Sequence, residues 1–163
     1  MRITTDVLTS PVSTRTALKV FEIFDSLNDS YLAAFENYPS PSYQLVTAWS
    51  GQNPAAAAVL VGKVITGYVG NDEVRESTTE KGMREVLAHL KGTNESLIIH
   101  DVDDPSYLEE AGFIRIDPPS GIKKPVTVFA WNMTADEVYA TLNALHMHWD
   151  LNMHRYKGKK AQF

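Results

Sequence analysis

Residues 55–69 read AAAAVLVGKVITGYV, the longest apolar stretch of the chain. A membrane span needs about 20 consecutive apolar residues. This stretch is shorter and is interrupted by Gly62, Lys63 and Gly67, so it does not read as a span. It reads as extended chain, either one bent strand or two strands with Gly62-Lys63 as the turn. Just before it, YQLVTAW is rich in aromatic and β-branched residues, the composition of a strand, and GQNP is a turn signal. A sheet therefore stands at the centre of the fold.

The remaining chain alternates helix and strand signals. MRITT opens as a short strand. In STRTALKVFEIFDSLNDSYLAAF, Leu18, Phe21, Phe24 and Leu27 share a helical face, and Asn28-Asp29-Ser30 marks a break before a second short helix. YPSPS is a linker whose prolines end any helix. After the central strands, DEVRE is expected to be extended. A helix is predicted over residues 78–91, with Met83, Val86, Leu87 and Leu90 on one face and Lys91-Gly92 as its stop. SLIIHDV follows as a strand. DDPSYLEEAG reads as one compact helix, with Asp104 as cap, Pro105 at the first helical position and Gly112 just past the end. FIRID and VTVFAWN are strands joined by the turn-forming PPSGIKKP. Thr134 and Glu137 have capping-box spacing and open a long helix carrying Val138, Leu142, Leu145 and Trp149 on one face. The order β-α-α-β-β-(β)-α-β-α-β-β-α defines a mixed α/β sheet.

Composition narrows the function classes. At 163 residues and 44% hydrophobic content, one domain with a buried core is expected. A net charge of −5 argues against a surface that binds nucleic acid throughout. The last residues, HRYKGKKAQF, are locally basic through Arg155, Lys157, Lys159 and Lys160. They form a solvated end or a contact to nucleic acid or another acidic surface. With no cysteine, disulfides, thiolate zinc sites and cysteine nucleophiles are excluded. MRITTDVLTS lacks the apolar run of a signal peptide, so an intracellular, non-membrane protein is the expectation.

The start of the helix over 78–91 carries the main chemical question. Ser77 and Glu80 have capping-box spacing, and Gly82 follows at once. A helix start with an early glycine is a common phosphate site, because unpaired amides and the helix dipole face an anion there. Glu80 opposes that use. Its carboxylate competes for the same positive end, and two anions a few ångströms apart repel by about 1 kcal/mol or more near a surface.

Two stretches together resemble the GNAT (GCN5-related N-acetyltransferase) family. PSYLEEAGFIRID looks like the family's late motif, a short helix ending in a Gly-Phe pair before a strand. VRESTTEKGM looks like its acyl-coenzyme A loop. The resemblance covers residues 74–117 closely and implies an α/β fold of the acyl-CoA N-acyltransferase type. The family's loop pattern grips the cofactor pyrophosphate with backbone amides. Aligned on Gly82, the positions that correspond are Thr79, Lys81, Gly82, Met83 and Arg84, the candidate cofactor residues. Thr79, Glu80 and Arg84 all depart from the pattern. The family's tyrosine acid falls on Leu108, and Tyr107 is one residue, about 100°, around the helix from it. If the chain is active, Tyr107 is the candidate acid and acetyl-coenzyme A the cofactor. A narrower resemblance, through VTAWSG, YVGNDEV and DPSYLEEAGF, is to internal virion protein A of T7-type podophages. It implies a role in particle assembly or genome delivery.

Other constellations have simpler readings. His146, Asp150 and His154 fall at i, i+4 and i+8, yet no fourth ligand is near, so no metal is expected. His100 reads as a core histidine on a central strand or as a base near a sheet opening. Asp101, Asp103 and Asp104 cluster, with one needed as a cap. Tyr43, Trp49, Phe129 and Trp131 read as core residues, since no basic side chains are interleaved with them.

The chain is thus expected to be a GNAT-like domain over 1–134, with a C-terminal helix and basic tail over 135–163. The lead functional expectation is a non-catalytic fold relative acting through protein contacts in a phage particle or the host cytoplasm. Its partner, another protein or a second copy, would dock on the C-terminal helix. The alternatives are an active acyl-CoA-dependent N-acetyltransferase with a variant loop and a host-directed inhibitor that kept only the fold.

Overall fold

The apolar run is two strands. Gly62 and Lys63 form a two-residue hairpin loop that closes on the pair Val61–Val64, and Gly62 has φ +62°. Gly51 and Gln52 do the same between Ser50 and Asn53, with Gly51 at φ +61°. A positive φ at the first loop residue alone is the II′ geometry, which only glycine enters without strain and which matches strand twist. The GQNP turn is therefore confined to its first two residues, and Asn53-Pro54 already lies in the next strand.

In the computed structural model, residues 3–9, 20, 43–100, 105–122 and 125–144 are described. The strands are β1 (Ile3–Thr9), β2 (Tyr43–Ser50), β3 (Asn53–Val61), β4 (Val64–Gly70), β5 (Leu97–His100), β6 (Ile114–Ile116) and β7 (Val128–Trp131). The helices are α1 (Glu76–Thr93), α2 (Ser106–Glu110) and α3 (Ala135–Ala144). The seven strands form one sheet in the order β1-β2-β3-β4-β5-β7-β6. Every pairing is antiparallel except β4 with β5, which α1 connects. The expected mixed sheet and element order hold. The paired helices expected between β1 and β2 lie outside the described residues.

The sheet is covered on both faces. On one, Val86, Leu87 and Leu90 of α1 and Leu108 of α2 pack with Val46, Ala56, Ile65, Ile99 and Phe129. On the other, Val138 and Leu142 of α3 pack with Val64, Ile98, Ile116 and Val128. Fully burying side chains of this size stabilises by about 1.5–3 kcal/mol each. Of the apolar stripe expected on the C-terminal helix, Val138, Tyr139 and Leu142 meet the chain's own sheet, while Leu145 and Trp149 lie outside the described residues.

Helix α1 differs from its sequence reading at both ends. It runs over Glu76–Thr93, and its N-cap is Arg75, with no side-chain cap. Ser77 is inside the helix, so the Ser77–Glu80 capping box does not form, and Glu80 is beyond the first turn. DEVRE is not a strand: residues 72–74 turn the chain, Arg75 caps α1 and Glu76 is its first residue. At the other end the helix passes through Gly92. Asn94 stops it, with Nδ2 donating to the Leu90 carbonyl at 2.9 Å, so no left-handed glycine is needed.

Gly82 sits where the helix presses on the sheet. A Cβ there would lie 2.7 Å from Ala55 Cβ and 3.3 Å from Ala56 Cβ. Both alanines reach it because β3 bulges. Ala48 pairs with Ala56 and Trp49 with Pro54, which leaves Ala55 as the extra residue. A bulge bends its strand and re-aims side chains.

The later motifs form largely as read. Gly112 follows α2 with φ +90°, the conformation expected just past a helix end. Pro105 stands at the cap of α2 and not at its first position. Phe113 is buried. At α3 the capping box is complete. Glu137 N–H donates to Thr134 Oγ1 at 3.3 Å, and Thr134 N–H donates to Glu137 Oε1 at 3.2 Å. These bonds to Thr134 hold the Glu137 carboxyl below the usual glutamate range. A lowered folded value contributes stability above the unfolded pKa and loses it as pH falls through the folded value. Thr134→Ala is expected to cost about 1 kcal/mol in thermal unfolding at neutral pH. Glu137→Gln is expected to flatten the acid limb of stability against pH. An acid limb identical to wild type would show that the box does not form.

Candidate functional site

The sheet forks between β4 and β5. They pair in parallel only through Val64–Ile98 and Ile65–Ile99. Directly afterwards β4 bulges: Leu60 pairs with Ile65 and Val59 with Gly67, so Thr66 is the extra residue. β4 then continues along β3 to Gly70, while β5 ends at His100, paired with Val128 of β7. Among the described residues the two strands share no pairing beyond Ile65 and Ile99. His100 is buried at the end of β5. Tyr68, on the far arm of the fork, donates its hydroxyl to the Met83 carbonyl at 2.7 Å and ties α1 over β4.

The turn that carries β4 into α1 is built on Asn71, which is 5% exposed. Its N–H donates to the Ala55 carbonyl at 2.9 Å, and Nδ2 donates to the Pro54 carbonyl at 2.8 Å. Oδ1 accepts the Glu73 N–H at 2.9 Å, and its carbonyl accepts the Thr79 hydroxyl at 2.6 Å. Sequence reading passed over this residue. Its signal is an asparagine directly after a strand and two residues ahead of a turn donor, the Asx-turn pattern.

Of the first amides of α1, those of Thr78 and Thr79 donate to the Arg75 carbonyl at 2.9 and 3.0 Å. From Glu80 onward each amide lies inside the helix and bonds to the carbonyl four residues earlier. Asp72, Glu73 and Glu76 are exposed around this end, with Arg75 among them. The carboxylate in the first turn is Glu76, not Glu80.

The five candidate cofactor residues are spread over the second turn and do not converge. Thr79 is committed to Asn71. Lys81 is exposed. Gly82 is buried against Ala55 and Ala56. Met83 packs on the core, and its Sδ lies 3.3 Å from where a Cβ on Gly70 would stand. Arg84 Nε donates to Glu110 Oε1 and Oε2 at 3.0 and 3.2 Å. That carboxylate raises the guanidinium's pKa further, and the pair links α1 to α2. Both partners are about half exposed, so the pair adds little stability.

Leu108 is fully buried, while Tyr107 is half-buried beneath Arg84, whose Cζ is 5.5 Å from the ring centre. The two residues point in different directions, as the rotation along a helix requires. Asp101, Asp103, Asp104, His146, Asp150, His154 and the basic tail lie outside the described residues. Among the described residues no group of three or more carboxylates or histidines could hold a metal, and no helix is long and apolar enough to cross a membrane.

A seven-stranded mixed sheet forked at its parallel pair, with the connecting helix starting beside the fork, is the GNAT architecture of acyl-CoA N-acyltransferases. The crystal structure of an acyl-CoA N-acyltransferase from Pseudomonas aeruginosa matches with a TM-score of 0.52 at 9% identity, over 79% of this chain and 97% of that one. ElaA of Escherichia coli matches with a TM-score of 0.52 at 14% identity, over 79% of this chain and 99% of that one. At such identities the likeness establishes the fold. No family model and no curated protein matches the chain.

Proposed function

We propose that this chain is a GNAT-fold protein that does not grip the pyrophosphate of coenzyme A and that acts through contacts with other proteins. The observation that supports this is the start of α1. Among the described residues the amides of Glu76 and Ser77 are the ones left unshared in its first turn, and that turn and the one before it carry the exposed carboxylates of Asp72, Glu73 and Glu76. A pyrophosphate there meets three like charges against the single opposite charge of Arg75, an excess of two, each worth on the order of 1 kcal/mol near a surface. The sequence resemblance to internal virion protein A is the ground for seeking the partner in a phage particle. Docking through the segment after α3 belongs to the same proposal.

The fork between β4 and β5 favours a second reading, an acyl-CoA-dependent N-acyltransferase. In that reading the acyl-coenzyme A would supply an acyl thioester, a β4 amide beyond the bulge would face its carbonyl oxygen, Tyr107 would protonate the sulfur as the carbon–sulfur bond breaks, and the proton lost by the attacking amine would pass to water. Calorimetry with acetyl-coenzyme A separates the two. The expected result is no saturable heat up to about 1 mM ligand, a limit of roughly −4 kcal/mol. Changing Asp72, Glu73 and Glu76 to their amides is expected to bring binding into range. Micromolar affinity of the unaltered chain would overturn the first reading in favour of the second.

A further inference from the structure

β6 ends the sheet, and its outer edge has no strand beside it among the described residues. Strand alternation shows which groups it presents. The Ile98 N–H donates to Lys63 at 2.8 Å, so Ile98 faces β4, and Leu97 and Ile99 face β7. Their partners Trp131 and Phe129 face β5, which leaves Val128 and Ala130 facing β6. Ile114 and Ile116 therefore spend their main-chain groups on β7. The N–H and C=O of Arg115 point outward.

The side chains along this edge are unusual for an unpaired strand. Ile114 is 59% exposed and is the exposed large hydrophobic residue of the described chain. Arg115 and Asp117 are exposed, stand two residues apart and so share one face. Neither has an ion-pair partner among the described residues.

We propose that β6 pairs antiparallel with β6 of a second copy, about a two-fold axis through Ile116, and extends the sheet across a homodimer. This register sets Arg115 directly opposite Asp117 of the second copy, and Asp117 opposite its Arg115. Opposite charges face each other twice, and the outward main-chain groups of Arg115 bond to those of Asp117. The Asp117 carbonyl also accepts the Tyr139 hydroxyl at 2.5 Å and keeps a second lone pair for this use. Ile114 comes to lie opposite Pro118 of the second copy and is covered. Pro118 falls at an inward-facing position, so its missing N–H costs no bond. The competing registers, centred on Arg115 or on Asp117, put two guanidiniums or two carboxylates face to face and are disfavoured. The interface uses residues 114–118 alone and does not depend on whether the chain binds coenzyme A.

The test is sedimentation of the full chain over a concentration series, with a charge swap. Wild type is expected to dimerise reversibly. Arg115→Asp alone and Asp117→Arg alone each create two like-charge pairs and are expected to raise the dissociation constant about tenfold or more. The double variant restores both pairs and is expected to recover wild-type association. Ile114→Ser removes the apolar contact without touching charge and is expected to weaken the dimer as well. Circular dichroism verifies that each variant is folded. A wild-type chain that stays monomeric, single variants that associate like wild type, or a double variant as weak as the singles would each overturn the interface.

Discussion

Phe113→Ala is expected to lower the unfolding free energy by about 3–5 kcal/mol, the cost of deleting a buried aromatic and leaving a cavity. Phe113 is 3% exposed and belongs to the cluster that joins α1, α2 and the sheet, with Leu87, Leu108 and Phe129. Its backbone is held as well. Its N–H donates to the Leu108 carbonyl at 2.9 Å, and Gly112 before it turns the chain at φ +90°. The backbone is therefore pinned beside the ring, which limits how far it can shift to fill the space. In a domain of this length each kcal/mol moves the melting temperature by roughly 2–4 °C, so a fall of about 10 °C is expected by calorimetry. Phe113→Leu keeps most of the volume and should cost less than about 1.5 kcal/mol. An alanine variant that melts within a degree or two of wild type would remove the Gly-Phe pair from the core.

The Gly-Phe pair was legible because everything it needs is local. A glycine past a short helix and a large apolar residue before a strand meet within a few positions of one another. The two hairpin glycines and the Thr134–Glu137 box are local in the same way. The start of α1 was not legible for the opposite reason. Ser77 and Glu80 satisfy the spacing of a capping box, but the helix start is set by Asn71, whose acceptors Pro54 and Ala55 are 17 and 16 residues away in the chain. A tertiary clamp overrode a local cap. Gly82 shows the same limit. Its spacing suggested a phosphate loop, whereas its neighbours Ala55 and Ala56 explain it as the point of closest helix–sheet approach. The bulge at Thr66 that opens the fork stands beside Gly67, a strand glycine that fits a bulge as well as the end of an apolar run, so composition alone does not place it, and Arg84 finds Glu110 across 26 residues.

Asn71→Ala tests that clamp directly and is expected to cost about 2–4 kcal/mol. The substitution leaves the Pro54 carbonyl without its donor and the Glu73 N–H without its acceptor. Each orphaned group carries a penalty of about 1–3 kcal/mol when water cannot replace the lost partner. The effect should be largest at the start of α1. Thr79 is held to the Asn71 carbonyl, and the Thr78 and Thr79 amides close on Arg75 only while the turn keeps its shape. Hydrogen exchange at those two amides is therefore expected to quicken more than exchange at Val86 or Leu90, which are locked in the core. Asn71→Asp separates the two side-chain bonds. It keeps an acceptor for Glu73 but sets a carboxylate against the Pro54 carbonyl, so at neutral pH it should be no milder than alanine. Protonation restores a donor toward Pro54. The deficit of the aspartate variant should accordingly shrink as pH falls through the carboxylate range, while that of the alanine variant, measured relative to wild type, stays level. If Asn71→Ala costs less than about 1 kcal/mol, or if exchange rises evenly along α1, then the helix start is fixed by its own sequence and the clamp is incidental.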